Sequence, residues 1–235
     1  MFGYTKDEQR SLDHCLYCFE NIHHKETFIH YIKKQDILCA SCRQQMQEVN
    51  QIIDVKGLKI YAIYKYDDYL EKLLFQFKEA NDIALAAIFV KHLKKSLEHK
   101  YRKYTWVFMP SNHNKIKERG FYPLKELFKD FKINEVELLY KNSEYKQSAQ
   151  PLNKRGMVKN IIALKDHPTI HTKILLVDDV CTSGESLKAA YELLSSIYEV
   201  EIMVVAIHEL NLKKDNKCEN SMNIWEMFKK MFTRG

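Results

Sequence analysis

The chain has 235 residues, 46% hydrophobic and 29% charged, with a formal net charge of +6. That length suits one medium domain and a small appendage, and the composition is that of a globular protein with a real core. No run approaches the ~20 apolar residues of a membrane span. The opening MFGYTKDEQRSLDHC lacks the apolar centre of a secretion signal, so a cytoplasmic protein without a membrane span is expected.

The first unit covers residues 1–50. It holds Cys15 and Cys18, then Cys39 and Cys42, two C-x2-C pairs with twenty residues between them. A segment this short cannot fold on hydrophobic burial alone, and paired cysteines in a cytosolic chain point to metal before disulfides. Four thiolates at this spacing close one tetrahedral zinc site, two sulfurs from each knuckle. Strand character is expected at Thr27–Ile32.

Leu58–Tyr66 alternates and is rich in Tyr and Ile, which reads as a strand or hairpin arm. Asp67 and Asp68 open a helix with Leu70, Leu73, Leu74 and Phe77 on one face. Asn81 or Asp82 is expected to cap a second helix, with Ile83, Ala86, Ala87, Val90 and Leu97 turned inward. Between Lys91 and Gly120 nine Lys/Arg face only Glu98 and Glu118. This is either a phosphate-attracting surface or, for its helical part 91–103, a solvated helix face.

From Tyr104 strands and helices alternate. TWVFMP is a strand ending at Pro110, SNHNKIKERG a polar loop, and FYPLKELFKDF the start of a helix. VELLY and KILLVDD are strands, GESLKAAYELLSSI a helix and VEIMVVAIHEL a last strand. Such alternation implies right-handed βαβ units and a largely parallel sheet, whose ligands bind beyond the carboxyl ends of the strands. Residues 213–235 read as a polar linker and a short amphipathic helix bearing Trp225, Phe228 and Phe232.

ILLVDDVCTSGES carries the chemistry. Ile174–Val177 is apolar on both faces, as a central parallel strand requires. Adjacent carboxylates Asp178 and Asp179 at its end need solvent, a cation or hydrogen-bond donors, and vicinal ribose hydroxyls are such donors. Thr182, Ser183, Gly184, Glu185 and Ser186 then form a turn entering a helix, where free N–H groups, hydroxyls and the helix dipole suit a phosphate monoester. Gly184 lets the backbone approach that ligand closely. Separately, an acid pair is as readily a magnesium site or cap, and the turn an ordinary helix start.

LLVDDVCTSGES resembles the phosphoribosyl pyrophosphate (PRPP) signature of the type I phosphoribosyltransferases. LLFQFKEAND, FMPSNHNKIKERGFYPLKEL, KQSAQPLNKRGMVKN and the preceding cysteine pairs, in this order, resemble the competence protein F (ComF) family. The resemblance implies a type I phosphoribosyltransferase-like α/β parallel-sheet domain at 51–212 behind a zinc-binding module at 1–50. It also implies PRPP or ribose 5-phosphate as ligand, Mg2+ accompanying it, and a role in DNA uptake and natural transformation. Asp178 and Asp179 would hold the ribose, the 182–186 loop the 5-phosphate, and Arg119, Arg155 and Lys117 the pyrophosphate. Tyr122-Pro123 stands where the family has Asn-Gln, so that pair's contacts do not transfer. No general base for an acceptor is legible. Three classes stay open: a PRPP-dependent transferase, a non-catalytic PRPP sensor, and an accessory factor. The last would use the zinc module and residues 91–120 to contact single-stranded DNA, and would work with DNA-uptake proteins such as a competence helicase.

Overall fold

The structure, a computed structural model, describes residues 14–22, 37–141, 162–165 and 170–212. The expected strand at 27–32, the segment 142–161 with Arg155, and the C-terminal helix lie outside them.

The two cysteine knuckles are joined by the Leu16 N–H, which donates to the Ile37 carbonyl at 3.0 Å. Helix α1 (Ala40–Gln45) follows, its first free N–H groups met by Cys39, whose Sγ accepts from the Cys42 N–H at 3.4 Å. The chain then forms β1 (Glu48–Val55) and β2 (Leu58–Tyr66), an antiparallel hairpin pairing Val55 with Leu58. Its two-residue turn places Lys56 and Gly57 at φ +55 and +84, the left-handed pair that matches strand twist. β1 escapes sequence reading because EVNQIIDV alternates poorly and its outer face is exposed, Ile52 included.

β2 is the strand expected, and α2 (Asp68–Lys78) the helix expected after it. Asp67 caps α2 by accepting from the Leu70 N–H at 3.0 Å, and Leu70, Leu73, Leu74 and Phe77 are buried. The single helix expected after Asn81 is instead broken. Short 3-10 turns at Ile83–Leu85 and Lys91–Leu93 alternate with α3 (Ala86–Val90) and α4 (Lys94–Lys100). Asp82 makes no side-chain cap, Asn81 sits at φ +57, and Ile83 is exposed. Neither end of the segment therefore anchors one continuous register.

β3 (Tyr104–Phe108) leads into SNHNKIKERG, which forms α5 (His113–Arg119) rather than a loop. Its start is set by Asn112, which accepts from the Asn114 N–H at 2.9 Å, and its end by Gly120 at φ +79. α6 (Pro123–Phe128) follows, with proline at its first position, where a missing N–H costs nothing. Of the expected VELLY strand only Leu139 and Tyr140 form one: β4 (Asn134–Glu135) lies just before it and pairs with β3, whereas β5 (Leu139–Lys141) pairs with β6 (Ile162–Leu164) in a separate antiparallel ribbon. β7 (Lys173–Cys181), α7 (Glu185–Ser195), β8 (Val200–His208) and α8 (Glu209–Leu212) complete the described chain.

The main sheet has six strands in the order β1-β2-β8-β7-β3-β4, every neighbour after the β1–β2 hairpin parallel. Ile174–Val177 and Met203–Ile207 are fully buried at its centre, and Trp106 packs edge-on against Phe128 at 5.3 Å. Among the described residues no helix is long and apolar enough to cross a membrane. The fold class is the α/β parallel sheet that the sequence implies, with the cysteine cluster at its N-terminal side.

Candidate functional site

The site arises because β7 outlasts β3. Pairing with β3 stops at Phe108–Val177, where the Met109 N–H still donates to the Val177 carbonyl at 2.9 Å and Pro110 then offers no N–H. On its other side β7 continues against β8 through Cys181. Asp178 and Asp179 therefore sit within the last turn of the strand rather than beyond it, paired on one edge and open on the other.

Neighbouring strand residues point to opposite faces, so each acid meets different company. Asp179 is ion-paired with Lys78, the last residue of α2, whose side chain is only 17% exposed. Asp178 accepts from the Asp179 N–H at 2.9 Å and has no such cation. Burial, then the adjacent Asp179 charge, pushes Asp178 up to about 8. The Tyr122 phenol is also pushed well above its ordinary range, by burial first and then by Asp178. Its hydroxyl donates to the Met109 carbonyl, fixing the corner after β3.

Phe77 holds the end of α2 in place, packing on Phe89 at 5.9 Å and on Phe121 at 5.3 Å. That contact brings Lys78 to Asp179 and Glu79 to Arg119. Arg119, at the end of α5, pairs with Glu79 and is 11% exposed in its side chain. Its Nε is buried with no hydrogen-bond partner among the described residues. Arg119 thus sits on Glu79, the residue after Lys78, while Lys117 is exposed on α5. Lys78 lies in LLFQFKEAND, one of the segments carrying the family resemblance, but nothing local in that segment marks it as a partner for Asp179.

The loop after β7 is exposed at Thr182, Ser183, Glu185 and Ser186, and α7 begins at Glu185. Ser183 Oγ lies 3.5 Å from the Glu185 N–H, a weak contact that leaves the first-turn donors available. Asn211 of α8 donates to the Thr182 carbonyl at 2.7 Å and so holds the loop from behind. The Glu185 carboxylate is ion-paired with Lys56 of the hairpin turn, which lowers its pKa. Glu185 can therefore serve an anion only through its N–H. Gly184 also differs from expectation. It is at φ +75, and an added Cβ would stand 2.9 Å from Val55 Cγ1, so close packing against β1 demands glycine there. Cys181 is buried, its thiol pushed up to about 11 by burial and Asp178, and is inert.

At the other end of the chain, the four cysteine sulfurs lie within 4.8 Å of one another, Cys18 and Cys39 at 3.6 Å. Tetrahedral Zn–S bonds of about 2.3 Å set sulfurs roughly 3.8 Å apart, so the donor set fits one zinc. Cys15, Cys39 and Cys42 are buried and Cys18 is exposed. The unit is bound to the body by Arg43, which donates to the Ile88 carbonyl at 3.0 Å, and by the Tyr69 hydroxyl, which donates to the Cys42 carbonyl at 3.3 Å.

The basic stretch 91–120 is not one surface. Its first six cations precede the amino end of β3 and its last three follow the carboxyl end, with Arg119 engaged by Glu79. The five residues of β3 separate the two groups by roughly 16 Å.

The site thus joins an acid pair and the start of a helix at the carboxyl edge of a largely parallel α/β sheet. The Phosphoribosyl transferase domain family model matches residues 116–233, half of the chain, and the chain belongs to that family. It is 28% identical over 138 residues to Competence protein ComFC of Streptococcus pneumoniae (strain ATCC BAA-255 / R6), covering 59% of this chain and 62% of that relative's length. Looser overlaps reach solved structures. Adenine phosphoribosyltransferase from Saccharomyces cerevisiae is 15% identical with a TM-score of 0.40, covering 77% of this chain and 95% of that one. Hypoxanthine phosphoribosyltransferase from Staphylococcus aureus is 16% identical with a TM-score of 0.38, covering 58% and 68%.

Two outcomes are expected. Asp178 keeps its proton in the folded chain to about pH 8, whereas the unfolded chain sheds it near 3.8. Folding stability therefore falls as pH rises between those values, because the native state binds the extra proton. Asp178→Asn should raise the thermal midpoint at pH 8 and lose that advantage near pH 4; an equal gap at both would contradict the burial of this carboxyl. Gly184→Ala should cost about 1–2 kcal/mol in urea unfolding from its left-handed backbone, plus the Val55 clash. Adding Val55→Ala should recover the clash part, and no recovery would remove Val55 as a cause.

Proposed function

We propose that the chain binds PRPP at the carboxyl edge of β7, with Asp178 and Asp179 on the ribose hydroxyls and the Thr182–Ser186 loop on the 5-phosphate. The observation carrying this reading is the opening left where β7 outruns β3, lined by two acids and followed at once by the free N–H groups of α7. Arg119, with its buried unpartnered Nε, and Lys78 are the cations within reach of a departing pyrophosphate. Lys117 and Arg155 are further candidates for the same task. Mg2+ accompanying PRPP would offset the negative charge that builds up on the departing pyrophosphate.

In transfer, the ribose C1–O bond breaks with its electrons leaving on pyrophosphate, and an acceptor nucleophile bonds C1. The protein's task is to stabilise the leaving anion and exclude water. Lys78 and Asp179 neutralise each other in the free chain, as do Arg119 and Glu79. A ligand offering hydroxyls to the acid and phosphates to the cations exchanges those internal pairs for its own. The name of the Competence protein ComFC relative supports placing this activity in competence, and a role in DNA uptake from the cytoplasm is part of the same proposal. Residues 1–50 then form a zinc-stabilised unit, 51–212 the ligand-binding domain, and 213–235 a linker and C-terminal helix.

Titration calorimetry with PRPP and Mg2+ tests the reading. Asp178→Asn with Asp179→Asn should weaken binding by about ten- to a hundredfold, since the charge-assisted hydrogen bond lost with the ionised Asp179 contributes roughly 1.5–3 kcal/mol and Asp178, holding its proton, contributes a weaker neutral one. Unchanged affinity would remove the acid pair from the site. Pyrophosphate release on adding acceptors then separates a transferase from a PRPP sensor. For the metal, protein purified without chelator should carry one zinc per chain by elemental analysis, and Cys39→Ser should lose it. Loss should raise hydrogen exchange first in residues 14–46, because a structural site's binding energy is folding energy; a metal-free, fully protected wild-type chain would sink the zinc assignment.

A further inference from the structure

The four-sulfur cluster is shielded unevenly. Cys15, Cys39 and Cys42 are buried, whereas Cys18 is exposed. The fold of the first knuckle accounts for this. The Cys15 N–H donates to the Glu20 carbonyl at 2.8 Å and the Phe19 N–H to the Cys15 carbonyl at 2.9 Å, which closes a tight loop over residues 15–20. Phe19 stands at φ +62, a left-handed conformation that a bulky residue rarely takes, and it is 76% exposed. The chain thus turns outward at Cys18 and Phe19, and a reagent from solvent meets the Cys18 sulfur before the other three.

A sulfur of the other knuckle stands next to it. Cys39 Sγ lies 3.6 Å from Cys18 Sγ. A disulfide sets its sulfurs about 2.05 Å apart, so this pair closes by a movement of about 1.5 Å. Cys39 is the fixed partner: it is buried at the start of α1, and its Sγ accepts from the Cys42 N–H at 3.4 Å. The movement therefore falls to the exposed loop that carries Cys18. The cluster also touches α2. The Tyr69 hydroxyl donates to the Cys42 carbonyl at 3.3 Å, and the Tyr17 ring packs edge-on against Tyr69 at 5.6 Å. At its other end α2 carries Lys78, the partner of Asp179.

We propose that Cys18 is a peroxide-modification site: it is oxidised first, Cys39 captures it in a disulfide that joins the two knuckles, and the bound zinc is released. The inference rests on the zinc assignment above and is independent of the PRPP reading. The co-reactant is hydrogen peroxide. The Cys18 sulfur attacks one peroxide oxygen, so that an S–O bond forms as the O–O bond breaks, and the departing hydroxide takes a proton from solvent. The Cys39 sulfur then attacks the Cys18 sulfur. An S–S bond forms, the S–O bond breaks, and the second hydroxide is protonated to water. Two thiolates have lost two electrons, and the peroxide has become two waters. Only Cys15 and Cys42 then remain as thiolates, half the set that a structural zinc requires. Loss of the metal loosens the Cys42 carbonyl on which Tyr69 rests, so oxidation reaches the start of α2.

The test uses the full chain, its zinc content measured by elemental analysis before hydrogen peroxide is added. A chromophoric chelator reads zinc release, dimedone traps the first sulfenic acid, and fragmentation mass spectrometry assigns the disulfide. Dimedone should label Cys18 before any other cysteine, and zinc release should keep pace with the Cys18–Cys39 disulfide. Dithiothreitol with added zinc should reverse both. Hydrogen exchange should rise in residues 14–22 and then in the first turn of α2. Cys18→His keeps a zinc ligand at this position but forms no sulfenic acid, so it should bind one zinc and release it roughly tenfold more slowly. If that variant fails to hold zinc, the labelling order and the disulfide map of the wild type decide alone. First labelling at a buried cysteine, a disulfide confined to one knuckle, zinc retained in excess peroxide, or release from Cys18→His as fast as from the wild type overturns the inference and leaves the zinc assignment standing. A chain that carries no zinc when purified without chelator overturns both.

Discussion

Two adjacent carboxylates on a central strand impose the condition that organises this molecule. Charges there cannot stay both ionised and unaccompanied, because the interior screens them poorly and offers no water. The chain meets the condition unequally. Asp179 takes the ammonium of Lys78, while Asp178 keeps a proton well above the usual carboxylate range. For Lys78 to be present, α2 must end at the sheet's carboxyl edge, and the packing of Phe77 between Phe89 and Phe121 puts it there. The same packing delivers Glu79 to Arg119. The site is therefore a set of groups that largely neutralise one another, Lys78 with Asp179 and Arg119 with Glu79.

The hairpin β1–β2 has a second influence on this edge. Its turn sends Lys56 to Glu185 and sets Val55 against Gly184, so the phosphate-type loop is shaped partly by a strand far away in sequence. The cysteine unit is fastened to the same body. Tyr64 donates to the Phe89 carbonyl at 2.9 Å and Arg43 to the Ile88 carbonyl, so α1, β2 and α3 share one polar seam in an apolar core. Buried polar groups satisfied in this way fix relative position rather than add much net stability. A cysteine unit so fastened is part of the body, not a tethered appendage.

The distribution of positive charge bears on partners. A stretch netting more cations than the whole chain suggests a nucleic-acid face when read linearly, but β3 runs through its middle and carries its two halves to opposite ends of the sheet. The half at the carboxyl edge includes Arg119, which is engaged by Glu79 beside Lys78. Steering by the other half acts on a separate surface.

Much of this was legible in the sequence. Periodicity marked β2, α2, β7, α7 and β8, because each has one strongly buried face or is buried on both. The paired cysteines and the acid pair followed by a small-polar turn spoke for themselves, since spacing alone places four sulfurs and since charges after an apolar strand need partners. Local signals failed where tertiary contacts decide. β1 has a half-exposed edge with little pattern, α5 is a short polar helix defined by its caps, and the segment after Asn81 bends to follow the body it covers. No residue pattern says that β3 stops at Phe108, opposite Val177, while β8 runs on beside β7, that Lys78 rests on Asp179, or that Gly184 is required by Val55. Those are relations between segments distant in sequence, and only the folded packing of side chains against one another creates them.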